Sequence, residues 1–320
     1  MRTTTLDEIL KARDIIGKFV KRTPMVRSEY LSELCGAEIH LKMECQQHTS
    51  SFKIRGALNK MSQLSPEDKE RGVVTASSGN HAQAVALASQ ILGIRATIVV
   101  PNEVSKAKLS KIQKYDVEVV LGGGFDEVEA KARKMAKLQG KTYVSPYNDL
   151  TVVAGQGTIG IEVVEDLDQF DTVIVPVGGG GLISGIAVAI KSLRPDASVI
   201  GVQTPGSRTM YESWLQGRVV KVQEYDTLAE AFLGGVEENS VTLDIITEYI
   251  DEILLVQEDT VEEAIRLLWN KENQVVEGAG GTSISPLLEN PGQFAGKAIV
   301  AIVSGGNIED SLFQRIIGNG

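Results

Sequence analysis

The sequence predicts an α/β protein made of two doubly wound open-sheet domains that share one cleft. From Gly72 onward, runs of β-branched residues alternate with helical segments, which is typical of βαβ units and of a parallel sheet covered on both faces. This alternation occurs in two series, one before and one after about residue 149. Glycine and small polar residues follow several strands, where open α/β sheets bind their ligands.

We expect the smaller domain to span residues 72–148 and the larger domain to combine residues 1–71 with residues 149–320. The chain of 320 residues is long enough for two ordinary domains with a core each. Its sequence contains no internal repeat, linker or low-complexity tract.

The elements before residue 72 begin with a helix. Thr5-Leu6-Asp7-Glu8 forms a capping box, apolar residues follow at helical spacing, and Thr23-Pro24 is expected to end that helix. Residues 39–43 alternate like a short strand. This strand leads into a stretch that starts another helix, Thr49-Ser50-Ser51-Phe52-Lys53-Ile54-Arg55-Gly56-Ala57.

Lys53 is the residue of most interest in that stretch. It lies between Phe52 and Ile54, so its amine is a candidate for partial desolvation, which favours a nucleophilic neutral amine. The alternative is an ordinary helix start, with Ser50 or Ser51 as N-cap and a solvated lysine.

Two series of elements follow. The first predicts, in order, strand 73–76, helix 82–92, strand 96–100, helix 105–115, strand 117–121, helix 125–138 and strand 142–145. The second predicts helix 160–167, strand 172–177, helix 182–193, strand 199–203, strand 253–256, helix 261–270, helix 274–288 and strand 298–303.

Three strand ends carry residues suited to ligand binding. Ser77-Ser78-Gly79-Asn80-His81 precedes a helix, where free N–H groups favour a carboxylate or another anion. Four glycines, 178–181, lie between a strand and a helix, and a phosphate is the natural ligand for such a backbone. Ser304-Gly305-Gly306-Asn307 is again small and polar. The run Gly122-Gly123-Gly124 also follows a strand, but we interpret it as a plain turn.

The residue spacing argues against several other kinds of site. Ile186 stands where a Walker A motif needs lysine, and no G-x-G-x-x-G fits residues 178–185. Neither Ser184 nor Ser304 has the G-x-S-x-G context of a hydrolase. The three histidines lack the spacing of zinc ligands, so no metal site is expected.

The composition limits the partners and the compartment. A net charge of −10 argues against nucleic acid or an anionic membrane surface as partner. Cys35 and Cys45 lack CxxC spacing, which indicates reduced thiols. The start of the sequence resembles no signal peptide, and no apolar run approaches the length of a membrane span. We therefore expect a cytoplasmic protein.

Taken together, these features match the needs of pyridoxal 5′-phosphate (PLP). PLP needs an amine for its Schiff base, a phosphate site, a carboxylate site for the amino-acid substrate and a partner for its ring nitrogen. The four motifs, 51–57, 77–81, 178–181 and 304–307, together resemble the threonine/serine dehydratase and serine racemase family of fold-type II, tryptophan-synthase-β-like PLP enzymes. The likeness runs from about Thr5 to about Asp310.

The resemblance implies a role for each matching residue. Lys53 would form the Schiff base and then remove the Cα proton of the substrate. The resemblance implies cofactor binding by Phe52, Asn80, Gly178, Gly179, Gly180, Gly181, Leu182 and Ser304, with Asn80 at the 3′ oxygen and Ser304 at the ring nitrogen. It implies binding of the substrate carboxylate by Ser77, Ser78, Gly79, Asn80 and His81.

The resemblance also implies the reaction. We expect β-elimination of water from a small β-hydroxy-α-amino acid, L-threonine or L-serine, to a 2-oxo acid and ammonia, in a homodimer or homotetramer. Ser78 stands where the family's dehydratases usually have alanine and the racemase has serine, so Lys53 and Ser78 could instead racemise an amino acid. Gln203 and Thr209 replace two metal ligands of the racemase, which puts a bound metal in doubt.

Two further alternatives remain. The family's T-x-A-D-G segment reads Thr227-Leu228-Ala229-Glu230-Ala231, so another hydroxyamino acid, such as 3-hydroxyaspartate or a substrate derived from hydroxyectoine, stays open. From a different class, the chain could be a binding protein for an anionic metabolite that carries no PLP.

Overall fold

The computed structural model describes residues 3–124 and 127–318, and within them the strands form two sheets. The strands are β1 Met25–Arg27, β2 Glu38–Lys42, β3 Val73–Ala76, β4 Ala96–Val100, β5 Glu118–Leu121, β6 Thr142–Tyr143, β7 Thr172–Pro176, β8 Ser198–Gln203, β9 Glu252–Leu255 and β10 Ala298–Ile302.

The helices alternate with these strands over most of the chain. They are α1 Leu6–Ile16, α2 Glu29–Cys35, α3 Lys53–Ser62, α4 Pro66–Arg71, α5 Asn80–Leu92, α6 Lys106–Ile112, α7 Val128–Gln139, α8 Leu150–Asp166, α9 Gly181–Leu193, α10 Thr209–Gln216, α11 Val241–Tyr249, α12 Glu258–Glu272, α13 Gly278–Gly281, α14 Ser285–Glu289 and α15 Asp310–Gly318.

The large sheet has six strands in the order β1-β2-β10-β7-β8-β9. Its strands are parallel except β1, which pairs antiparallel with β2. The small sheet has four parallel strands in the order β5-β4-β3-β6. The predicted α/β class with two open sheets is confirmed, and the antiparallel edge strand β1 is an addition to it. The domain boundaries at residues 71/72 and 148/149 remain a prediction.

The central strands are buried because they consist of branched apolar residues and helices cover both faces. All residues of β4 and β7 are buried, as the continuous apolar runs predict. The core of the large sheet divides into two clusters, one around Leu41 and Ile299 and one around Val175 and Ile186. A separate cluster below the small sheet includes Val73.

Helix α3 is held tightly against α8 at a point where both helices carry glycine. A methyl group on Gly155 would lie 2.7 Å from the backbone of Arg55 and Gly56, so the close approach requires glycine. The N–H of Gly56 donates to Oε1 of Gln156 at 3.1 Å. Because α3 begins at Lys53, this contact fixes the helix that carries the candidate nucleophile.

A buried ionic cluster also anchors α3. The guanidinium of Arg55 donates to Glu44 at 2.8 and 2.9 Å and to Glu162 at 2.6 Å. The amine of Lys42 lies 2.8 Å from Glu162. Arg55, Glu44 and Lys42 are fully buried, so each charge depends on its partners for compensation.

Two element predictions were wrong. Helix α1 has the predicted capping box but ends at Ile16, well before Thr23-Pro24, and Gly17 follows it as C-cap. The predicted helix 274–288 is two short helices, α13 and α14, and residues 273–277 before them are not helical. Glycines at 278, 280 and 281 and Pro286 weaken a continuous helix here.

Other differences concern element bounds. Helix α8 starts at Leu150, ten residues before the predicted start, and its N-cap Asp149 accepts from the N–H of Thr151 at 2.8 Å. The predicted start of helix 125–138 at Phe125 lies outside the described residues, and α7 begins at Val128. The sequence prediction lacked β1 and the helices α2, α4, α10, α11 and α15.

Candidate active site

Lys53 lies at the first position of α3, and its amine faces a backbone carbonyl. Nζ donates to the carbonyl oxygen of Pro146 at 2.9 Å and lies 5.1 Å from the centre of the Phe52 ring. Burial of the amine lowers the pKa of Lys53 to about 8, although the nearby carboxylate of Glu277 opposes the shift. About one amine in ten is therefore neutral at pH 7, which makes Lys53 a usable nucleophile.

The four glycines form a bare backbone turn between β7 and α9. Gly180 has φ +86°, a conformation that favours glycine. A methyl group on Gly179 would lie 2.5 Å from the ring of Tyr147. Gly181 is the first residue of α9, and Leu182 is buried in its first turn. A turn without side chains at a helix N-terminus fits a phosphate group.

The segment 145–148 joins the lysine to the glycine turn. Pro146 accepts the hydrogen bond from Lys53, and the next residue, Tyr147, packs its ring against Gly179 and its backbone against Gly181. The hydroxyl of Tyr147 accepts from the N–H of Glu237 at 2.9 Å. Sequence reasoning missed this segment, because its contribution is a carbonyl and a ring that belong to no recognised motif.

The loop 77–81 follows β3 and leads into α5. Gly79 is the N-cap of α5 and provides no side-chain cap, so the first N–H groups of the helix are not occupied by a capping side chain. The hydroxyl of Ser77 accepts from the N–H of Gly79 at 3.2 Å. The hydroxyl of Ser78 makes no hydrogen bond within the described residues and is half-buried.

His81 contacts the same region but is held as a neutral ring. Its Nε2 lies 3.1 Å from the carbonyl oxygen of Val144, and its Nδ1 is buried without a partner in the described part of the chain. Burial, with a smaller effect from Lys53, lowers the pKa of His81 to about 3. A neutral ring with Nε2–H donating to Val144 satisfies this geometry.

The end of β10 lies beside Phe52. The N–H of Phe52 donates to the carbonyl oxygen of Ser304 at 3.2 Å, and Ser51 forms a bridge with Gly305. Ser304 is a buried residue, and its hydroxyl has no hydrogen-bond partner in residues 3–124 and 127–318. A hydroxyl without a partner can donate to a ligand acceptor such as a ring nitrogen.

The sequence of this chain, compared with known protein families, matches the model described as "Pyridoxal-phosphate dependent enzyme" over residues 16–305. The chain belongs to this family of PLP-dependent enzymes. The expected family and cofactor are thereby confirmed.

Individual relatives are of the same kind. The chain is 44% identical to the L-threonine ammonia-lyase of Thermotoga maritima over 99% of this chain and 79% of the relative. It is 42% identical to the catabolic L-threonine dehydratase TdcB of Escherichia coli strain K12, over 98% of this chain and 96% of the relative. The fold matches maize serine racemase with a TM-score of 0.93 at 29% identity, over 99% and 98% of the two chains.

The residues present fit PLP. The glycine turn offers backbone N–H groups at the N-terminus of α9, and Lys53 supplies a partly desolvated amine. Ser304 supplies a hydroxyl, and the loop 77–81 supplies the start of a helix. These groups would hold the phosphate, the aldehyde and the ring of the cofactor and the carboxylate of the substrate.

Glu277 is a site residue that sequence reasoning missed. Its carboxylate oxygen Oε1 accepts from Nδ2 of Asn80 at 2.6 Å, and a methyl group on Gly305 would collide with it. Burial raises the pKa of Glu277 to about 7, although Asn80, Lys111 and Lys53 oppose the shift. The sequence does not reveal this position, because the apolar spacing of residues 274–288 predicts one continuous helix.

The residues that replace the racemase's metal ligands have other contacts or none. Oε1 of Gln203 accepts from the N–H of Tyr211 at 2.7 Å. The hydroxyl of Thr209 is buried and has no partner in the described residues. Within the same residues, no three or more His, Cys, Asp or Glu side chains form a metal-binding group, and no helix is long and apolar enough to span a membrane.

Proposed function

We propose that this PLP-dependent lyase eliminates water from L-threonine or L-serine and releases a 2-oxo acid and ammonia. The relatives that cover nearly the whole chain are named for threonine ammonia-lyase or dehydratase activity, which supports this substrate class. The observation that carries the proposal is the segment 145–148, which brings the Lys53 amine and the glycine turn to one place.

Lys53 has two tasks in this proposal. Its amine would hold the cofactor aldehyde in the resting enzyme and, when free, would accept the proton from the substrate Cα. Bound PLP withdraws the electron pair that is released when the Cα–H bond breaks. The carbonyl of Pro146 can hold the free amine in place between these tasks, since it already accepts a hydrogen bond from it at 2.9 Å.

Backbone and neutral side chains hold the cofactor. The N–H groups of Gly178, Gly179, Gly180, Gly181 and Leu182 would bind the phosphate, and the α9 N-terminus favours its negative charge. Phe52 would pack beside the ring, Asn80 would donate to the 3′ oxygen and Ser304 would face the ring nitrogen. A neutral serine does not hold that nitrogen protonated, which suits an elimination in which the carbanion at Cα is relieved at once by loss of the β-hydroxyl.

The loop 77–81 would bind the substrate carboxylate. The backbone N–H groups of Ser78 and Asn80 lie at the start of α5, where an anion is stabilised, while the N–H of Gly79 donates to the Ser77 hydroxyl. Ser77 and His81 support the loop: the first accepts from Gly79, and the second contacts Val144.

Racemisation of an amino acid is the second candidate, because Ser78 has a free hydroxyl. Proton transfer by Lys53 on one side of Cα and Ser78 on the other would interconvert the two isomers. The fold neighbour named as a serine racemase agrees with this alternative as well as with the first. A different hydroxyamino acid is the third candidate, since Glu230 departs from the family's Asp and pairs with Lys108 at 2.8 Å.

A substrate panel with product identification tests the proposal. Purified enzyme loaded with PLP is incubated with L-threonine, L-serine and 3-hydroxyaspartate, and 2-oxo acid, ammonia and D-isomer are measured together. The proposal expects 2-oxo acid and ammonia in equal amounts from L-threonine or L-serine. If the D-isomer is the main product, the racemase alternative is correct instead. If only 3-hydroxyaspartate is turned over, the proposed substrate is wrong.

We also propose a cytoplasmic homodimer or homotetramer with domains 1–71 plus 149–320 and 72–148. The separate four-stranded sheet of β3 to β6, which lies wholly within residues 72–148, supports the domain division. Mass measurement in solution by light scattering tests the assembly.

A further inference from the structure

A chain of four side chains joins the small-sheet part of the protein to the cofactor cleft. Lys111 on α6 donates from Nζ to Oδ1 of Asn307 at 3.2 Å. Nδ2 of Asn307 donates to Oδ1 of Asn80 at 2.7 Å. Nδ2 of Asn80 then donates to Glu277 at 2.6 Å. We call these four residues, Lys111, Asn307, Asn80 and Glu277, the amide relay.

The direction of every hydrogen bond in the amide relay follows from its Lys111 end. An ammonium group can only donate, so the atom of Asn307 that faces Lys111 must be the carbonyl oxygen. The amide nitrogen of Asn307 then faces away, where it also donates to the carbonyl oxygen of Thr49 at 2.7 Å. A second fixed acceptor therefore agrees with the orientation that Lys111 requires.

This orientation determines which atom Asn80 can offer to a ligand. Its carbonyl oxygen is occupied by Asn307, and one hydrogen of its Nδ2 goes to Glu277. The second hydrogen of Nδ2 has no acceptor within the described residues, and Asn80 is only half-buried. Nδ2 of Asn80 can therefore donate its second hydrogen to a ligand in the cleft.

Glu277 by itself does not fix the amide. With a pKa raised to about 7, its carboxyl is protonated in a large fraction of molecules near neutral pH and can then donate as well as accept. The orientation is set at Asn307, where the Lys111 ammonium can only donate to Oδ1 and the backbone carbonyl of Thr49 can only accept from Nδ2.

We propose that Lys111 and Asn307 are positioning residues that orient the Asn80 amide as a donor toward the 3′ oxygen of the bound cofactor. This inference rests on the proposed function of Asn80 and extends it to two residues that do not touch the cofactor. It also links α6, which packs beside the small sheet, to the cofactor through side chains alone.

The test compares three variants of two lysines on α6. Lys111→Met removes the donor, Lys111→Arg restores a group that only donates, and Lys108→Met is the matched control. Lys108 also reaches across the cleft, to Glu230 at 2.8 Å, but lies outside the amide relay. The readouts are the PLP dissociation constant of the cofactor-free protein, the wavelength of the visible absorption maximum and the thermal unfolding temperature.

The expected result is that Lys111→Met binds PLP about 3- to 10-fold more weakly, as for loss of one hydrogen bond, and shifts the visible maximum. Lys111→Arg regains both wild-type values, Lys108→Met keeps them, and unfolding temperatures stay equal. Asn307→Asp, which presents an acceptor to Asn80, changes the same two readouts by more.

Two outcomes overturn the inference and leave the proposed function intact. In one, Lys111→Met binds PLP within twofold of wild type with an unchanged spectrum. In the other, Lys108→Met loses as much affinity as Lys111→Met, which would show an effect of charge across the cleft. A wild-type protein that takes up no PLP would overturn the proposed function, and this inference with it.

Discussion

The amine of Lys53 donates to the carbonyl oxygen of Pro146 at 2.9 Å, and Pro146 comes directly before the tyrosine that packs on the glycine turn. The proposed nucleophile and the proposed phosphate site thus contact neighbouring residues of one segment. Movement of that segment would displace both, so we expect cofactor binding and catalysis to depend on the same local structure.

The glycine turn gives the first prediction. Gly180→Ala places a side chain at φ +86°, which costs about 1–2 kcal/mol of stability, and disturbs the phosphate site. Gly217→Ala is the matched control, since Gly217 has φ +62° and open space around it. Calorimetry should show a larger loss of stability for Gly180→Ala, because its methyl group would also lie 2.7 Å from Cδ1 of Ile246, and PLP titration should show weaker binding only for Gly180→Ala. Equal PLP affinities of Gly180→Ala and the wild-type protein would show that the glycine turn does not bind the cofactor.

The second prediction concerns the pH dependence of cofactor uptake. Only the neutral amine attacks an aldehyde, and burial lowers the pKa of Lys53 from 10.5 to about 8. Stopped-flow mixing of cofactor-free protein with PLP should therefore give a rate that rises about tenfold per pH unit up to about pH 8 and then levels off. A rate that keeps rising to pH 10 would mean an ordinary, solvated lysine.

The same pKa shift predicts a stability change. Between pH 8 and 10.5 the unfolded chain binds more protons at Lys53 than the folded protein does. The contribution of Lys53 to the free energy of unfolding of the cofactor-free protein should therefore increase with pH across this window. Urea denaturation at several pH values measures it, and Lys53→Met, which cannot titrate, should lack this contribution.

The third prediction concerns the buried ionic cluster under α3. Arg55→Met leaves the carboxylates of Glu44 and Glu162 without their main partner, which should reduce the free energy of unfolding by about 3–5 kcal/mol. The control Arg71→Ala breaks an exposed pair with Asp68 and should cost at most about 1 kcal/mol. Chemical denaturation of both variants measures the free energy of unfolding. A similar small decrease in both variants would contradict the anchoring role of Arg55.

Much of the fold and site follows from local sequence patterns. The strands 73–76 and 96–100 were predicted at the residues where they occur, because their β-branched runs are buried on both faces. The four motifs were found because glycine runs and polar strand ends are local signals. Two of them, 178–181 and 304–307, follow the neighbouring parallel strands β7 and β10, whereas 77–81 follows β3 of the other sheet.

The parts that sequence reasoning missed depend on tertiary contacts. Pro146 acts through its backbone carbonyl, and this contact cannot be recognised from the residue type. Glu277 and Lys111 look like ordinary charged residues in sequence, and only the fold brings Glu277 to Asn80 and Lys111 to Asn307. The helix assigned to residues 274–288 was wrong for a related reason, since apolar spacing outweighed its glycines.

The fourth prediction uses Ser78 to distinguish elimination from racemisation. Ser78→Ala removes a free hydroxyl and no hydrogen bond within the described residues, so elimination from L-serine should persist within about an order of magnitude. Formation of D-serine should fall by about 10²-fold or more if Ser78 transfers a proton. Chiral chromatography of the products measures both. Loss of elimination together with D-serine formation would instead place Ser78 in the shared chemistry.

The most direct test of the central claim is to identify the lysine that binds PLP. The holoenzyme is reduced with borohydride, which fixes the imine as a stable amine, then digested and analysed by mass spectrometry. The expected result is one cofactor adduct per chain on Lys53, with a folded but unlabelled Lys53→Ala variant. An adduct on another lysine, or a Lys53→Ala variant that keeps the label and full turnover, would contradict the assignment.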